Sequence, residues 1–303
     1  MLPGVSLSHI YRLLRTGGVR VNGRKAAPGA RIQAGDLIEV PGSEQVTNGG
    51  VSSFGSDLAW VHSSEELLVI NKPAGLATHG GTDSVAARVA SLPGQPESLS
   101  FHPAPVHRLD RPTSGALLVA RSLRAARELS ARLRDHGVTK WYVAVVAGKL
   151  DAPHSWNDPL TPKAVGDRSV VGGGAASRTA RLAVTPLAKA ATGTLVLVDL
   201  HTGLTHQIRA QLAAHGHPLV GDRNYGRPAA HELLLHCATL QFHLPLECAI
   251  PRGFVTGLWP WQTRLLDEWF GSGRAATIIQ RIRSLVEREE PLDASLLSHR
   301  LAD

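Results

Sequence analysis

Apolar positions along this chain follow two periods. Near the start, Ile10, Leu13 and Leu14 fall on one face of a helix over residues 8–15, which Gly17-Gly18 ends. Val19 to Gly23 reads as a short strand running into an Asn22-Gly23 tight turn, and Ala34-Gly35-Asp36 turns into a second strand over 37–40. Residues 42–57 are rich in Gly and Ser and carry no apolar period, so they read as a flexible linker with a reach on the order of 20 Å.

Beyond Leu58 strands and helices mix irregularly. Residues 66–71, 116–120, 141–146 and 194–200 read as strands, and Lys72-Pro73-Ala74-Gly75 as a turn. A helix is predicted over 122–137 with Ser122 as its N-cap, and another over 205–215 with Thr205 as N-cap and Gly216 as the stop. Residues 166–177, with Gly172-Gly173-Gly174, read as a mobile loop. No internal repeat and no regular βαβ alternation is present, which favours an α+β fold over a doubly wound one. After Pro260 the composition shifts. Ile278, Ile279, Ile282, Leu285 and Val286 make the apolar stripe of an amphipathic helix, expected to pack on the domain before it. The expected divisions are 1–41, 42–57, 58–260 and 261–303.

At 43% hydrophobic and 19% charged the 303 residues suit a folded, water-facing protein. No apolar run approaches the roughly 18 residues that span a bilayer, and the first residues lack a charged region followed by an apolar block, so a cytoplasmic protein without membrane contact is expected. Two cysteines, Cys237 and Cys248, suffice for neither a disulfide framework nor a four-thiolate zinc site. The net charge of +7 points to an anionic partner. Within 1–41 six cations (Arg12, Arg15, Arg20, Arg24, Lys25 and Arg31) face only Asp36 and Glu39.

Three stretches could carry chemistry. His107-Arg108-Leu109-Asp110-Arg111-Pro112-Thr113-Ser114-Gly115 is a polar turn entering a buried strand, with an acid set between two arginines. By itself it could equally be an ion-paired Asp capping a turn. Thr202 to Arg209 (TGLTHQIR) lies at a strand-to-helix junction, where a capped helix start would account for it. In Lys140-Trp141-Tyr142-Val143-Ala144, strand alternation puts Trp141 on one face and Tyr142 on the other, and Tyr142 is the one of three tyrosines inside a predicted core strand.

Together these stretches resemble the RluA-type pseudouridine synthases. The nine residues 107–115 are similar to that family's signature, and Asn71 to Gly75, Lys140 to Ala144, Thr202 to Arg209, Gly216 to Gly226 and Leu233 to Phe242 follow in the family's order. The likeness spans about residues 58 to 250. Residues 5–41 resemble the S4 RNA-binding domain, in the arrangement of the RluC-like ribosomal large-subunit synthases. The S4-like segment begins without its usual first helix, which implies a shortened module or a start codon further upstream. Leu204 stands where the family usually has Arg.

The resemblance implies a pseudouridine synthase fold: a mixed, largely antiparallel sheet with flanking helices. It implies an isomerase that needs no cofactor and no metal. Asp110 would be the nucleophile, Arg209 the cation that keeps it ionised, and Tyr142 a ring that stacks on the base and helps remove the C5 proton. Arg108 would fill the space left by a flipped uridine, with His107, Arg111, Thr113, His206 and Gln207 around the substrate. Arg12, Arg15, Arg20, Arg24 and Lys25 would contact RNA from the N-terminal module. The implied partner is 23S ribosomal RNA or a large-subunit precursor, acted on by a monomer. The alternatives are the same chemistry on transfer RNA, a non-catalytic RNA-binding or ribosome-assembly protein on this scaffold, and an unrelated hydrolase, for which no GxSxG, HExxH or P-loop motif is present.

Overall fold

A computed structural model describes residues 20–25, 38–39, 58–92, 101–165, 168–226, 231–247, 250–288 and 292–298. The helix expected over 8–15, the linker 42–57, Arg12, Arg15, Arg31 and Cys248 lie outside the described residues. The described residues fall into two compact units, divided near Asp57.

The first unit holds β1 (Arg20–Val21), β2 (Arg24–Lys25) and β3 (Ile38–Glu39), in the order β2-β1-β3. Asn22 and Gly23 both take positive φ, 51° and 76°, as a two-residue hairpin turn requires. Arg20 pairs with Lys25 on one side and Glu39 on the other.

The second unit is built on an eleven-stranded sheet. Its strands are β4 (Ala59–Ser63), β5 (Leu67–Lys72), β6 (Ala104–Pro105), β7 (Ser114–Ala120), β8 (Val138–Val146), β9 (His154–Val165), β10 (Arg168–Val171), β11 (Arg178–Ala190), β12 (Gly193–Leu200), β13 (Leu235–Phe242) and β14 (Gly253–Val255). The main path runs β10-β9-β11-β12-β8-β13-β7-β5-β4, with β6 on β7 and β14 on β13. Every pairing is antiparallel except β13 with β7, so the sheet is mixed and largely antiparallel, as expected. The helices are α1 (Val85–Ala90), α2 (Leu123–Arg134), α3 (Gln207–Ala214), α4 (Pro260–Phe270), α5 (Arg274–Glu287) and α6 (Ser295–Ser298).

Alternation along β8 sorts the two faces. Tyr142, Ala144 and Val146 join Val89 of α1, Leu129 of α2 and Leu212 of α3 in one buried cluster. Trp141, Val143 and Val145 pack on the other face against Leu266 of α4 and Ile278 and Ile282 of α5. Each face thus removes several large apolar side chains from water, at about 25 cal/mol per Å² buried. The helices after Pro260 cover the face opposite Tyr142.

Three local expectations need correction. Residues 166–177 contain β10, which pairs antiparallel with β9. The helix after β12 is capped by His206 rather than Thr205, and His206 sits in the left-handed region at φ 54° with no side-chain cap bond. Helix α2 ends at Arg134, three residues before Gly137, because His136 takes φ 56°. Strands β9 and β11 escape a pattern reading. Pro159 and Pro162 interrupt β9, and Pro186 sits at a bulge in β11.

Candidate active site

The turn 106–113, between β6 and β7, presents Asp110. It is closed by the Thr113 N–H donating to the Asp110 carbonyl at 3.0 Å. Thr78 clamps Leu109 from both sides, its hydroxyl donating to the carbonyl at 2.8 Å and accepting from the N–H at 3.1 Å. His107 Nε2 accepts from the N–H of Leu118 at 3.0 Å. Burial, reinforced by Lys140, pushes this imidazole down to about 3, so it is neutral and works as an acceptor.

Beneath the turn lies Lys72, fully buried at the end of β5. Its ammonium donates to the carbonyls of Pro73 (2.9 Å), Leu76 (2.8 Å) and Arg111 (3.3 Å). Burial pushes it down to about 7, against the pull of nearby Asp110. The Arg111 carbonyl also accepts from Gly75 N–H, while Arg111 Nε donates to Gly75 C=O, both at 2.8 Å. Arg111 therefore fastens the turn as well as facing the cavity.

β13 brings Tyr142 to Asp110. Cys237 pairs with Gly115 of β7 on one side and with Tyr142 of β8 on the other. Gly115 has φ 112°, and a Cβ there would stand 2.2 Å from the Cys237 carbonyl, so the close parallel crossing requires glycine. Burial raises the Tyr142 hydroxyl well above its ordinary range, with Cys237 adding to the effect, and the Cys237 thiol itself is pushed up to about 12. Both are protonated at neutral pH. That argues against Tyr142 entering the reaction as a phenolate base.

Helix α3 supplies the third component. Arg209 is 4% exposed and binds Asp222 by two bonds, Nε to Oδ2 at 2.8 Å and Nη2 to Oδ1 at 2.7 Å. Its remaining terminal nitrogen, Nη1, lies 3.7 Å from Asp110 Oδ2. His206 Nε2 approaches the same oxygen at 3.8 Å. Burial would lower the arginine and raise Asp222, but their mutual hydrogen bonds reverse both tendencies. The Asp110 side chain is 15% exposed, and among the described residues no direct hydrogen bond is made to its carboxylate.

Two cavities, of about 790 and 650 Å³, meet at Asp110, Arg108, His206 and Arg209. The larger also reaches Tyr142 and Thr113. It is lined by six cations (Arg108, Arg134, Lys140, Arg178, Arg181 and Arg209), with Asp110 as its one carboxylate. Leu204, in the place of the family's usual arginine, packs against the cluster of Leu160, Ala180 and Ala210 beside this cavity. Arg178 and Arg181 of β11 still supply positive charge there.

Of the residues singled out in the sequence, Asp110, Tyr142, Arg209, His107, Arg108, Thr113 and His206 line the larger cavity, and Arg111 the smaller. Gln207 lines the larger cavity as well, with its side chain bonded within the protein. Its oxygen accepts from Thr202 (2.9 Å) and Leu204 N–H (3.1 Å), and its amide donates to Arg181 C=O (3.1 Å) and Gln211 (3.0 Å). These four bonds hold the amide in place beside the cavity. Sequence reasoning missed Lys72, Asp222 and Tyr225, although each falls inside a stretch that carries the family likeness. The burial of Lys72 and its distant partner, the Arg111 carbonyl, leave no periodic trace.

Comparison with known proteins follows the same lines. Residues 66–214 match the RNA pseudouridylate synthase family, and residues 1–38 match the S4 domain. The chain is 34% identical over 276 residues to the ribosomal large subunit pseudouridine synthase C of Vibrio cholerae, covering 81% of this chain and 87% of that one. With the protein of the same name from Escherichia coli it shares 36% identity, covering 80% and 82%. The solved structure of human RNA pseudouridylate synthase domain containing 1 superposes with a TM-score of 0.62 at 23% identity, covering 81% of this chain and all of that one. The chain belongs to the RNA pseudouridine synthases, the isomerases that convert uridine to pseudouridine.

Proposed function

We propose that this enzyme isomerises uridine in large-subunit ribosomal RNA with Asp110 as its nucleophile. The observation that carries the reading is the Asp110 carboxylate, held on a pinned turn where two cation-lined cavities meet, with no direct hydrogen bond to its oxygens among the described residues. The uridine leaves the RNA stack to reach it, at a cost of a few kcal/mol. The N1–C1′ bond breaks, the base turns, C5 joins C1′, C5 gives up its proton and N1 gains one, so substrate and product are isomers and no added reactant is needed. Asp110 either bonds transiently to the substrate or promotes a glycal intermediate. Tyr142 stacks on the base as a neutral phenol, and Arg209 fixes charge and orientation at Asp110. Arg108, exposed at the mouth of both cavities, fills the space the uridine leaves. Arg178 and Arg181 take phosphates of the flanking strand.

The names of the relatives and the S4 match favour large-subunit RNA over transfer RNA. The enzyme acts as a monomer in the cytoplasm on this reading. The test is chemical-stop mapping of pseudouridine after incubation with large-subunit RNA and with transfer RNA. Wild type should create a new stop in the former alone. Asp110→Asn, which keeps the size of the side chain, should fold, bind RNA and create none. A new stop in transfer RNA only would move the substrate, and turnover by Asp110→Asn would remove the nucleophile.

A further inference from the structure

Tyr225 lies outside any role given above, yet it touches both groups that approach Asp110. Its half-buried ring stands with the Arg209 guanidinium 5.1 Å from its centroid, inside cation–π range, and Arg168 of β10 lies at 5.1 Å as well. Its hydroxyl accepts from the Ser169 N–H at 2.7 Å and lies 3.1 Å from His206 Nδ1. Its own N–H donates to Asp222 Oδ1 at 3.2 Å, the oxygen that also receives Arg209 Nη2.

We propose that Tyr225 is a positioning residue that fixes the orientation and tautomer of His206 and the plane of Arg209, and so sets the two donors that face Asp110. The proposal rests on the reading of Asp110 as the reacting carboxylate.

The proposed sense follows from the donors around the hydroxyl. Burial lowers the His206 imidazole, with Asp110 opposing, so the neutral ring carries one proton. The Tyr225 oxygen already accepts from Ser169, which leaves its O–H free to donate to His206 Nδ1. Nε2 then bears the hydrogen and points it at Asp110 Oδ2, 3.8 Å away. The opposite tautomer would set a bare nitrogen lone pair against the carboxylate.

The backbone supports this assignment. His206 holds φ 54°, a conformation that is strained for a non-glycine residue and persists only where neighbours enforce it. Those neighbours are the Tyr225 hydroxyl, the Ser169 hydroxyl donating to Thr205 C=O at 2.6 Å, and the first turn of α3, where Ala210 N–H donates to His206 C=O at 2.9 Å. The tip of β10 is thereby linked to Asp110 through the Tyr225 hydroxyl and then the His206 ring.

The experiment separates this role from simple packing. In protein labelled with ¹⁵N-histidine, with His206 assigned by its loss in His206→Gln, the wild type should show a bare Nδ1 and a protonated Nε2. Tyr225→Phe keeps the ring over Arg209 and removes only the hydroxyl. It should mix the tautomers and lower the single-turnover rate at saturating large-subunit RNA on the order of tenfold, with RNA affinity nearly unchanged. Tyr225→Leu, lacking the ring too, should be slower again. A wild-type Nδ1–H tautomer, or a Phe variant as fast as wild type, would overturn the proposal. Should the Phe variant fail to fold, the wild-type tautomer alone decides. Should wild type make no pseudouridine in that RNA, the functional reading falls while the tautomer still judges Tyr225.

Discussion

Arg209 holds Asp222 through two hydrogen bonds of 2.8 and 2.7 Å and reaches Asp110 only at 3.7 Å. The buried bidentate pair fixes the guanidinium plane, and what Asp110 meets is the remaining edge of an arginine already aligned. Arg209→Ala should therefore strand Asp222 as a buried, unpaired carboxylate and cost about 3–5 kcal/mol of stability in urea unfolding. Arg209→Lys should recover part of the rate, since a point charge replaces a planar fork. A residue that merely bound an RNA phosphate would instead lose affinity and salt dependence with stability intact.

Lys72 gives a pH signature. Its folded value is pushed down to about 7, whereas an unfolded lysine titrates near 10.4. Between those values the unfolded chain binds more protons, so stability from this site rises with pH across that window and falls away as pH drops through about 7. Relative to Lys72→Met, the wild type should gain stability from pH 7 to 9.5, by at most about 1.4 kcal/mol per pH unit. Urea unfolding of both proteins across that range measures it. A flat difference would mean that the three carbonyls keep the ammonium charged throughout.

Gly115→Ala should abolish the fold or cost more than about 4 kcal/mol, because the new methyl meets the Cys237 backbone at 2.2 Å in a positive-φ residue. Gly173→Ala is the control, since nothing lies within 4 Å of a Cβ there. Near-ultraviolet circular dichroism of the two variants should separate them. Equal spectra and stability would show that the β7–β13 crossing yields to a methyl group.

The hairpin cations of the first unit should act through phosphate. Arg24 and Lys25 are exposed on β2. Replacing each with Ala should reduce the slope of log affinity against log salt by about 0.7–0.9 and leave the saturated rate unchanged. An unaltered slope would remove these two side chains from the RNA contact.

Much of this was legible in the chain. The acid between Arg108 and Arg111, the alternation that sends Tyr142 to one face, and the junction carrying Arg209 can all be read locally. What stayed hidden depends on distance or on broken rules. Asp222 lies thirteen residues beyond Arg209, at a turn that no periodicity marks. Lys72 looks like an ordinary turn lysine until the fold buries it and brings the Arg111 carbonyl to it. His206 violates the preference for right-handed backbone, and the Thr-rich junction pointed to Thr205 as the cap instead. β9 and β11 carry prolines that disguise strands.

The place of β13 in the sheet has a consequence for synthesis. β4 to β7 form one group of strands and β8 to β12 another, and the strand that joins them, 235–242, is made after both. Asp110 belongs to the first group, while Tyr142 and Arg209 belong to the second. On a growing chain each group waits with an open edge, which is slow to close and exposed to wrong partners. A chain released before residue 242 should carry Asp110, Tyr142 and Arg209 and yet fail to bring them together, because the strand between their two groups is missing.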